Sequence, residues 1–335
     1  MKLTPIDLGN GILLFKNVLK DPKKTYEFIL DSKTNDDPFF GKDIWHDWQP
    51  WGNYAKAYPN LSDDYKTSDA YGAELQRECL DIFFGILEIY KEHFKGDAFF
   101  ERNGFPEDYP TSLEELKDRH KNKDNTFEMA DLVLFETNKN AHKDWQMYIH
   151  QDTTPYFGLA TNHMFNFNIY INDDYEGGEI LFFKHQDTDR VSYVDSKTGK
   201  TEEAWIVEDY FEYKMEAGDG MIFPVDLYHG VKPIGENNSK FYIRQFMTYN
   251  TSDEIEKFKQ RFLAGRLEKH PILDVMVRSG IKTEEEFEHL LEDSRKQAFA
   301  TRKNPVLFNS IDEIDIDTSL NQVACIISSH RIMKD

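Results

Sequence analysis

Residues 164–184 read MFNFNIYINDDYEGGEILFFK, and this stretch decides the fold. Its first half alternates: Phe165, Phe167 and Ile169 take one parity, and Asn166, Asn168 and Tyr170 take the other. Successive side chains of a strand point to opposite faces, so this run sets a polar face against an apolar one. Asp173-Asp174 and Gly177-Gly178 then punctuate the chain before a second apolar run at 179–184. Acidic and glycine pairs of this kind mark turns between short strands.

The same texture continues on both sides. Apolar runs rich in Phe, Ile, Val and Tyr lie at 127–135, 145–150, 190–194, 204–207, 220–224 and 240–249, with turn residues at 197–199 and 217–220. Many short strands with regular punctuation predict a β-sandwich or jelly roll. Upstream, residues 11–18 read as a strand, and Asp21-Pro22 as the cap and first turn of a helix through Ser32. Residues 36–68 lack a period and read as irregular. Residues 70–94 carry Leu75, Cys79, Ile82, Phe83, Leu87 and Tyr90 at helical spacing. Charged helices are expected again at 252–269 and 283–301. The expected organisation is a domain over 1–250, with helical support at 1–126 and a β-core at 127–250, then a helical extension at 251–335.

Composition limits what such a domain does. The 335 residues include 26 Phe and 17 Tyr, enough for a substantial core. Net charge is −21, which opposes binding to a nucleic-acid backbone. The only two cysteines, Cys79 and Cys325, exclude a disulfide framework and a cysteine zinc site. The first ten residues lack the apolar core of a signal peptide, and the apolar run at 11–14 is too short for a membrane span. A reducing cytoplasm, of a cell or of a virus-infected cell, is the expected compartment, without a membrane partner. The oligomeric state is not legible.

His150-Gln151-Asp152 and the later His229 carry the chemistry. Residues i and i+2 of a strand share a face, so His150 and Asp152 can bind one ion and His229 can complete the set from a neighbouring strand. Two imidazoles and a carboxylate make the facial triad of non-haem Fe(II), which leaves metal positions open. A near copy, His185-Gln186-Asp187, competes for the role. It opens a polar stretch after the Gly-Gly turn, at the edge of what reads as an inserted hairpin over 187–213.

Four further pieces follow in order: Tyr170-Ile171-Asn172; Tyr175-Glu176-Gly177-Gly178-Glu179; Gly218-Asp219-Gly220 leading into Phe223-Pro224; and His229-Gly230-Val231-Lys232-Pro233. With them the chain resembles the prolyl 4-hydroxylase-like branch of the 2-oxoglutarate- and Fe(II)-dependent dioxygenases. The resemblance covers roughly residues 127–250 well and the first 126 loosely. In that family the metal pair precedes the Gly-Gly-Glu turn, which favours His150 and Asp152 over the copy at His185.

The resemblance implies a double-stranded β-helix (jelly roll, cupin-like) core flanked by helices. It implies Fe(II) on His150, Asp152 and His229, 2-oxoglutarate as co-substrate, ascorbate as a further cofactor, and hydroxylation with release of succinate and CO2. The distal carboxylate of 2-oxoglutarate needs a cation. Lys240 matches the family's basic residue, about one position farther past His229 than is usual. Arg244 shares its strand face and offers a bidentate fork, so it stays a competitor. Tyr170 matches a position that supplies a hydroxyl to the same carboxylate. Because Asp152 is present, halogenation is disfavoured. The first expected substrate is a prolyl residue of a protein or peptide. The alternatives are a free amino acid or other small metabolite, and a non-catalytic metal-binding scaffold. Trp45, Trp48, Trp51 and Tyr54 are candidates to line a substrate groove.

Overall fold

A computed structural model describes residues 3–32, 45–48, 52–57, 71–98, 100, 106–122, 124, 126–129, 132–137, 163–184, 189–225, 227–232, 234–236, 238–249, 304–316 and 322–328. In chain order the elements are β1 (Pro5–Gly9), β2 (Ile12–Phe15), α1 (Pro22–Ser32), β3 (Trp45–Trp48), β4 (Gly52–Ala57), α2 (Tyr71–His93) and α3 (Leu113–Lys121). Then come β5 (Phe127–Met129), β6 (Leu132–Thr137), β7 (His163–Tyr170), β8 (Ile180–Lys184), β9 (Arg190–Val194), β10 (Thr201–Tyr213) and β11 (Gly220–Pro224). β12 (Tyr228–Val231), β13 (Lys240–Tyr249), β14 (Asn304–Phe308) and β15 (Gln322–Ile327) complete the described set.

The strands form two sheets. The larger has nine, in the order β1-β2-β11-β7-β13-β6-β4-β3, with β5 paired to β13. The smaller has six, in the order β12-β8-β10-β15-β14, with β9 paired to β10. Within the core the chain crosses between the sheets from β7 to β8, β10 to β11, β11 to β12 and β12 to β13, which is the winding of a jelly roll. The fold is a double-stranded β-helix with flanking helices.

Alternation along β7 and β13 explains the layers. Phe165, Phe167 and Ile169 join Phe241, Ile243 and Met247 in a core that includes Leu75, Cys79, Phe83, Ile86, Leu87 and Tyr90 of α2. The helix thus covers the outer face of the larger sheet. The opposite face meets the smaller sheet across an inner core of Leu14, Tyr170, Ile180, Phe182, Phe211, Met221 and Phe223. Each fully buried Phe contributes about 2–3 kcal/mol by removal from water. A hydrogen bond from the Tyr90 hydroxyl to Gly11 O, at 2.7 Å, ties α2 to the turn between β1 and β2.

Three expectations change. β3 and β4 extend the larger sheet through β6, so residues 36–68 are not wholly irregular and the support at 1–126 is not only helical. Where residues 251–335 are described they are largely strand: β14 pairs in parallel with β15, and β15 with β10. The run Gln322-Val323-Ala324-Cys325-Ile326-Ile327 is β-branched and apolar, and it extends the sheet instead of forming a helix. The helices expected at 252–269 and 283–301 lie outside the described residues. The inserted hairpin is found as β9 against β10, with Thr201 opposite Val194, but the second half of β10 pairs with β8 and belongs to the core. Among the described residues no helix is long and apolar enough to cross a membrane.

Candidate active site

The inner face of β13 presents Lys240, Tyr242, Arg244 and Phe246 in turn. Tyr242 lies opposite Tyr170, Arg244 opposite Asn168, and Phe246 opposite Asn166. On the far side of β7, Asn168 meets Met221 and Asn166 meets Phe223. Phe135 of β6 lies opposite Tyr242 on the other flank. A line of stacked rings therefore crosses the sheet, with Tyr170 and Tyr242 at 5.9 Å and Tyr242 and Phe135 at 5.1 Å. The sharing of a face by Tyr170, Asn166 and Asn168, and by Lys240 and Arg244, is as the alternation predicts.

His229 enters from the smaller sheet. It sits on β12 opposite Phe182 and is 5% exposed. Its ring stands edge-on to Phe223 at 4.9 Å. Its Nδ1 lies 2.9 Å from Leu227 O. A carbonyl can only accept, so Nδ1 carries the proton and, in the neutral ring, Nε2 keeps its lone pair. That is the tautomer a metal-ligating histidine needs, fixed by the partner such ligands ordinarily use. His150 and Asp152 lie outside the described residues, as do His185 and Asp187. Among the described residues no cluster of three His, Cys, Asp or Glu side chains forms a metal site by itself.

Lys240 occupies the other end of the same face and is 1% exposed. Its Nζ donates to Gly178 O at 2.9 Å, and the rings of Tyr170, Tyr242 and Tyr175 lie 5.0, 5.6 and 5.8 Å away. Among the described residues no carboxylate pairs with it. Burial, reinforced by the neighbouring Lys214 and opposed by Glu179, brings its pKa down to about 7. Burial holds the Tyr170 phenol well above its usual value, so it is a hydroxyl donor at working pH. The Tyr175 hydroxyl is buried with no hydrogen-bond partner. The cage thus offers unused ammonium and phenol donors with one carbonyl to satisfy them, which suits a carboxylate.

Two of the sequence motifs build this cage, and a third supports the frame around it. Gly177 and Gly178 both have positive φ, 68° and 70°, and a Cβ on Gly178 would come within 2.5 Å of Ile234 Cδ1. Only glycine turns tightly enough there to aim its carbonyl at Lys240. Lys214, a residue not singled out in the sequence, holds the same turn through Tyr175 O and Gly177 O at 2.7 and 2.6 Å. Asn172 donates to Ser239 O at 2.8 Å and accepts from Phe241 N at 2.8 Å, so it clamps the backbone on both sides of Lys240. Asp219, in the Gly-Asp turn, is bound by Lys16 at 2.7 Å and accepts from Asn17 N, which fixes the turn to the end of β2. That motif serves the frame.

Arg244 is partly buried, with its guanidinium over two aromatic rings. Its Cζ lies 4.5 Å from the Phe135 centroid and 4.6 Å from that of Phe246. Its Nε is buried without a hydrogen-bond partner, and so is Oδ1 of Asn168 opposite. Trp45, Trp48 and Tyr54 fall on β3 and β4 at the edge of the larger sheet. Trp51 lies outside the described residues.

No protein-family model and no curated protein matches the chain. Among solved structures it is similar to a prolyl-4-hydroxylase of Pseudomonas putida, at 10% identity over 72% of this chain and 94% of that one, with a TM-score of 0.35. AviO1 of Streptomyces viridochromogenes matches at 14% identity over 72% and 91%, with a TM-score of 0.34. SnoK, a non-haem α-ketoglutarate-dependent carbocyclase of nogalamycin biosynthesis, matches at 12% over 72% and 80%, with a TM-score of 0.37. What this interior can do chemically follows from its own side chains.

Proposed function

We propose that the chain is a 2-oxoglutarate- and Fe(II)-dependent hydroxylase. One observation carries the reading: a single interior holds a histidine whose Nδ1–H is fixed so that Nε2 can ligate, on β12, and, farther along, a buried lysine in a tyrosine cage with no carboxylate paired to it among the described residues. The first suits a metal ligand and the second suits the far carboxylate of a small diacid.

His229, with His150 and Asp152, would hold the metal, and the donor set of two imidazoles and a carboxylate fits Fe(II). Bound there with 2-oxoglutarate and dioxygen, the metal supplies hydroxylation of a C–H bond with release of succinate and CO2. The chain's own part is positioning. Lys240 binds the distal carboxylate, Tyr170 donates its hydroxyl beside it, and Asn172 holds Lys240 in place. Leu227 O keeps the proton on Nδ1 of His229. The aromatic row Tyr170, Tyr242 and Phe135 keeps water from the interior, which strengthens each charged contact. Prolyl hydroxylation of a protein or peptide is the first substrate reading and a small metabolite the alternative. A cytoplasmic setting, with ascorbate sustaining the iron, completes the proposal.

Succinate release from 2-oxoglutarate with added Fe(II) and ascorbate tests it. Turnover dependent on the metal is expected, abolished in Asp152→Ala and nearly intact in Asp187→Ala. No bound iron and no turnover with any substrate would end the oxygenase reading; the reverse ranking of the two aspartates would move the site to His185.

A further inference from the structure

β13 carries two inward cations, and they are housed differently. Lys240 is enclosed and hydrogen-bonded to a carbonyl, and burial brings its pKa down to about 7. Arg244 lies four residues on, about 13 Å of strand at ~3.3 Å per residue. Its guanidinium cannot deprotonate to escape burial. It makes no hydrogen bond or ion pair to protein among the described residues, yet its Cζ sits over the rings of Phe135 and Phe246.

A rigid, permanently charged fork with its N–H edge unspent fits a planar anion met edge to edge. The 2-oxoglutarate carboxylate is already provided for at Lys240, so this anion belongs to a second molecule. Asn168, directly across β7 from Arg244, adds a buried Oδ1 with no donor. On the strand next to the fork, that oxygen asks for an N–H or O–H of the same ligand. The chain as a whole carries −21, so a cation placed inside it and left unpaired needs a reason that bulk charge does not supply.

Resting on the oxygenase reading above, we propose that Arg244 and Asn168 bind the substrate's carboxylate and its adjoining N–H. The substrate class is then a carboxylate-bearing amino acid, either free or at the C-terminus of a peptide. A prolyl residue inside a chain, with no carboxylate of its own, does not fit.

The test uses binding, so it does not depend on turnover. Full-length protein with Fe(II) and 2-oxoglutarate, kept anaerobic, is titrated in a calorimeter with L-proline and L-prolinamide, and with Ala-Ala-Ala bearing a free or an amidated C-terminus, since a peptide-bound proline would lack the N–H. At least one acid is expected to bind about tenfold or more tightly than its amide. Whichever acid shows the preference, the free amino acid or the peptide, identifies the source. Arg244→Gln removes the preference, and Arg244→Lys, which keeps the charge but not the fork, retains part of it. Equal binding of acid and amide, no binding of either acid, or an unchanged preference in Arg244→Gln overturns the proposal. So does a larger loss of 2-oxoglutarate affinity than of acid affinity in Arg244→Gln. Absence of succinate under all conditions would instead sink the oxygenase reading, and the titration would still report on Arg244.

Discussion

The two faces of β13 are built from alternating residues of one strand and serve opposite ends. Phe241, Ile243 and Met247 are at most 1% exposed and pack in the core that α2 covers. Lys240, Tyr242 and Arg244 lie on the other face, and the lysine and arginine place cations where hydrocarbon would be more stable. Burying an ammonium with no carboxylate beside it among the described residues has a cost that a bound anion, or loss of the proton, offsets. One face of the strand therefore holds the fold together, and the other spends some of that stability on binding. Substitutions on the two faces should separate cleanly by what they change.

The largest effect is expected at His229. His229→Ala should remove metal-dependent succinate release, by more than the ~10–100-fold typical of losing a partner that merely orients a ligand, while thermal unfolding shifts little. Retained turnover would detach His229 from the metal. On the packed face, Phe167→Ala should cost about 3–5 kcal/mol in urea unfolding, as large-to-small core changes do, and leave the KM for 2-oxoglutarate unchanged. A raised KM with intact stability would blur the division.

Lys240→Met should do the reverse. The KM for 2-oxoglutarate should rise on the order of 100-fold, matching about 2–3 kcal/mol for a charge-assisted contact, with unfolding stability equal or higher. Arg244→Ala should raise that KM less; an equal or larger rise would exchange the two anchors.

The titration of Lys240 sharpens the same contrast. Its pKa is about 7 in the fold, against 10.5 when unperturbed. Between these values the unfolded chain holds the proton and the folded one does not. The Lys240 contribution to stability therefore rises with pH across this window, and it is lost again as pH falls through about 7. Anion binding runs the other way, weakening as pH climbs past about 7, because the empty cage gives up its charge. Both trends should vanish in Lys240→Met; either one persisting assigns it to another group. The smallest effect is expected for Gly178→Ala, roughly 1–2 kcal/mol of stability from its positive φ and the approach to Ile234. A modest rise in the 2-oxoglutarate KM should accompany it as the carbonyl leaves Lys240.

Much of this was legible because β7 and β13 alternate so regularly. Parity alone put Tyr170 with Asn168 and Lys240 with Arg244, and the bounds of α1 and α2 followed from the Asp21-Pro22 start and the spacing of Leu75 to Tyr90. α3 was missed, although Ser112 caps it: Ser112 Oγ accepts from Glu115 N at 3.1 Å, and Glu115 Oε2 reaches one residue farther back, accepting from Thr111 N at 3.0 Å. β3 and β4 were missed because strands at the end of a sheet need no apolar run of their own when β6, which pairs β4, and β4, which pairs β3, supply the order. Lys214, Tyr175 and Asn172 carry no periodic signal. Their roles come from carbonyl directions and from contacts between segments distant in sequence, which only the folded chain shows.

The parallel pairing of β15 with β10 has a consequence for how the molecule is made. Trp205, Ile206 and Val207 find their partners Cys325, Ile326 and Ile327 only after more than a hundred further residues have been synthesised. At ~5–20 residues per second that is a wait on the order of 10 s. Until then that flank of the smaller sheet stands open beside an apolar patch of Phe183, Val207 and Tyr210. An uncovered strand of this kind is where a nascent chain meets its neighbours. Late closure makes this seam the place where a translating chain most needs a chaperone.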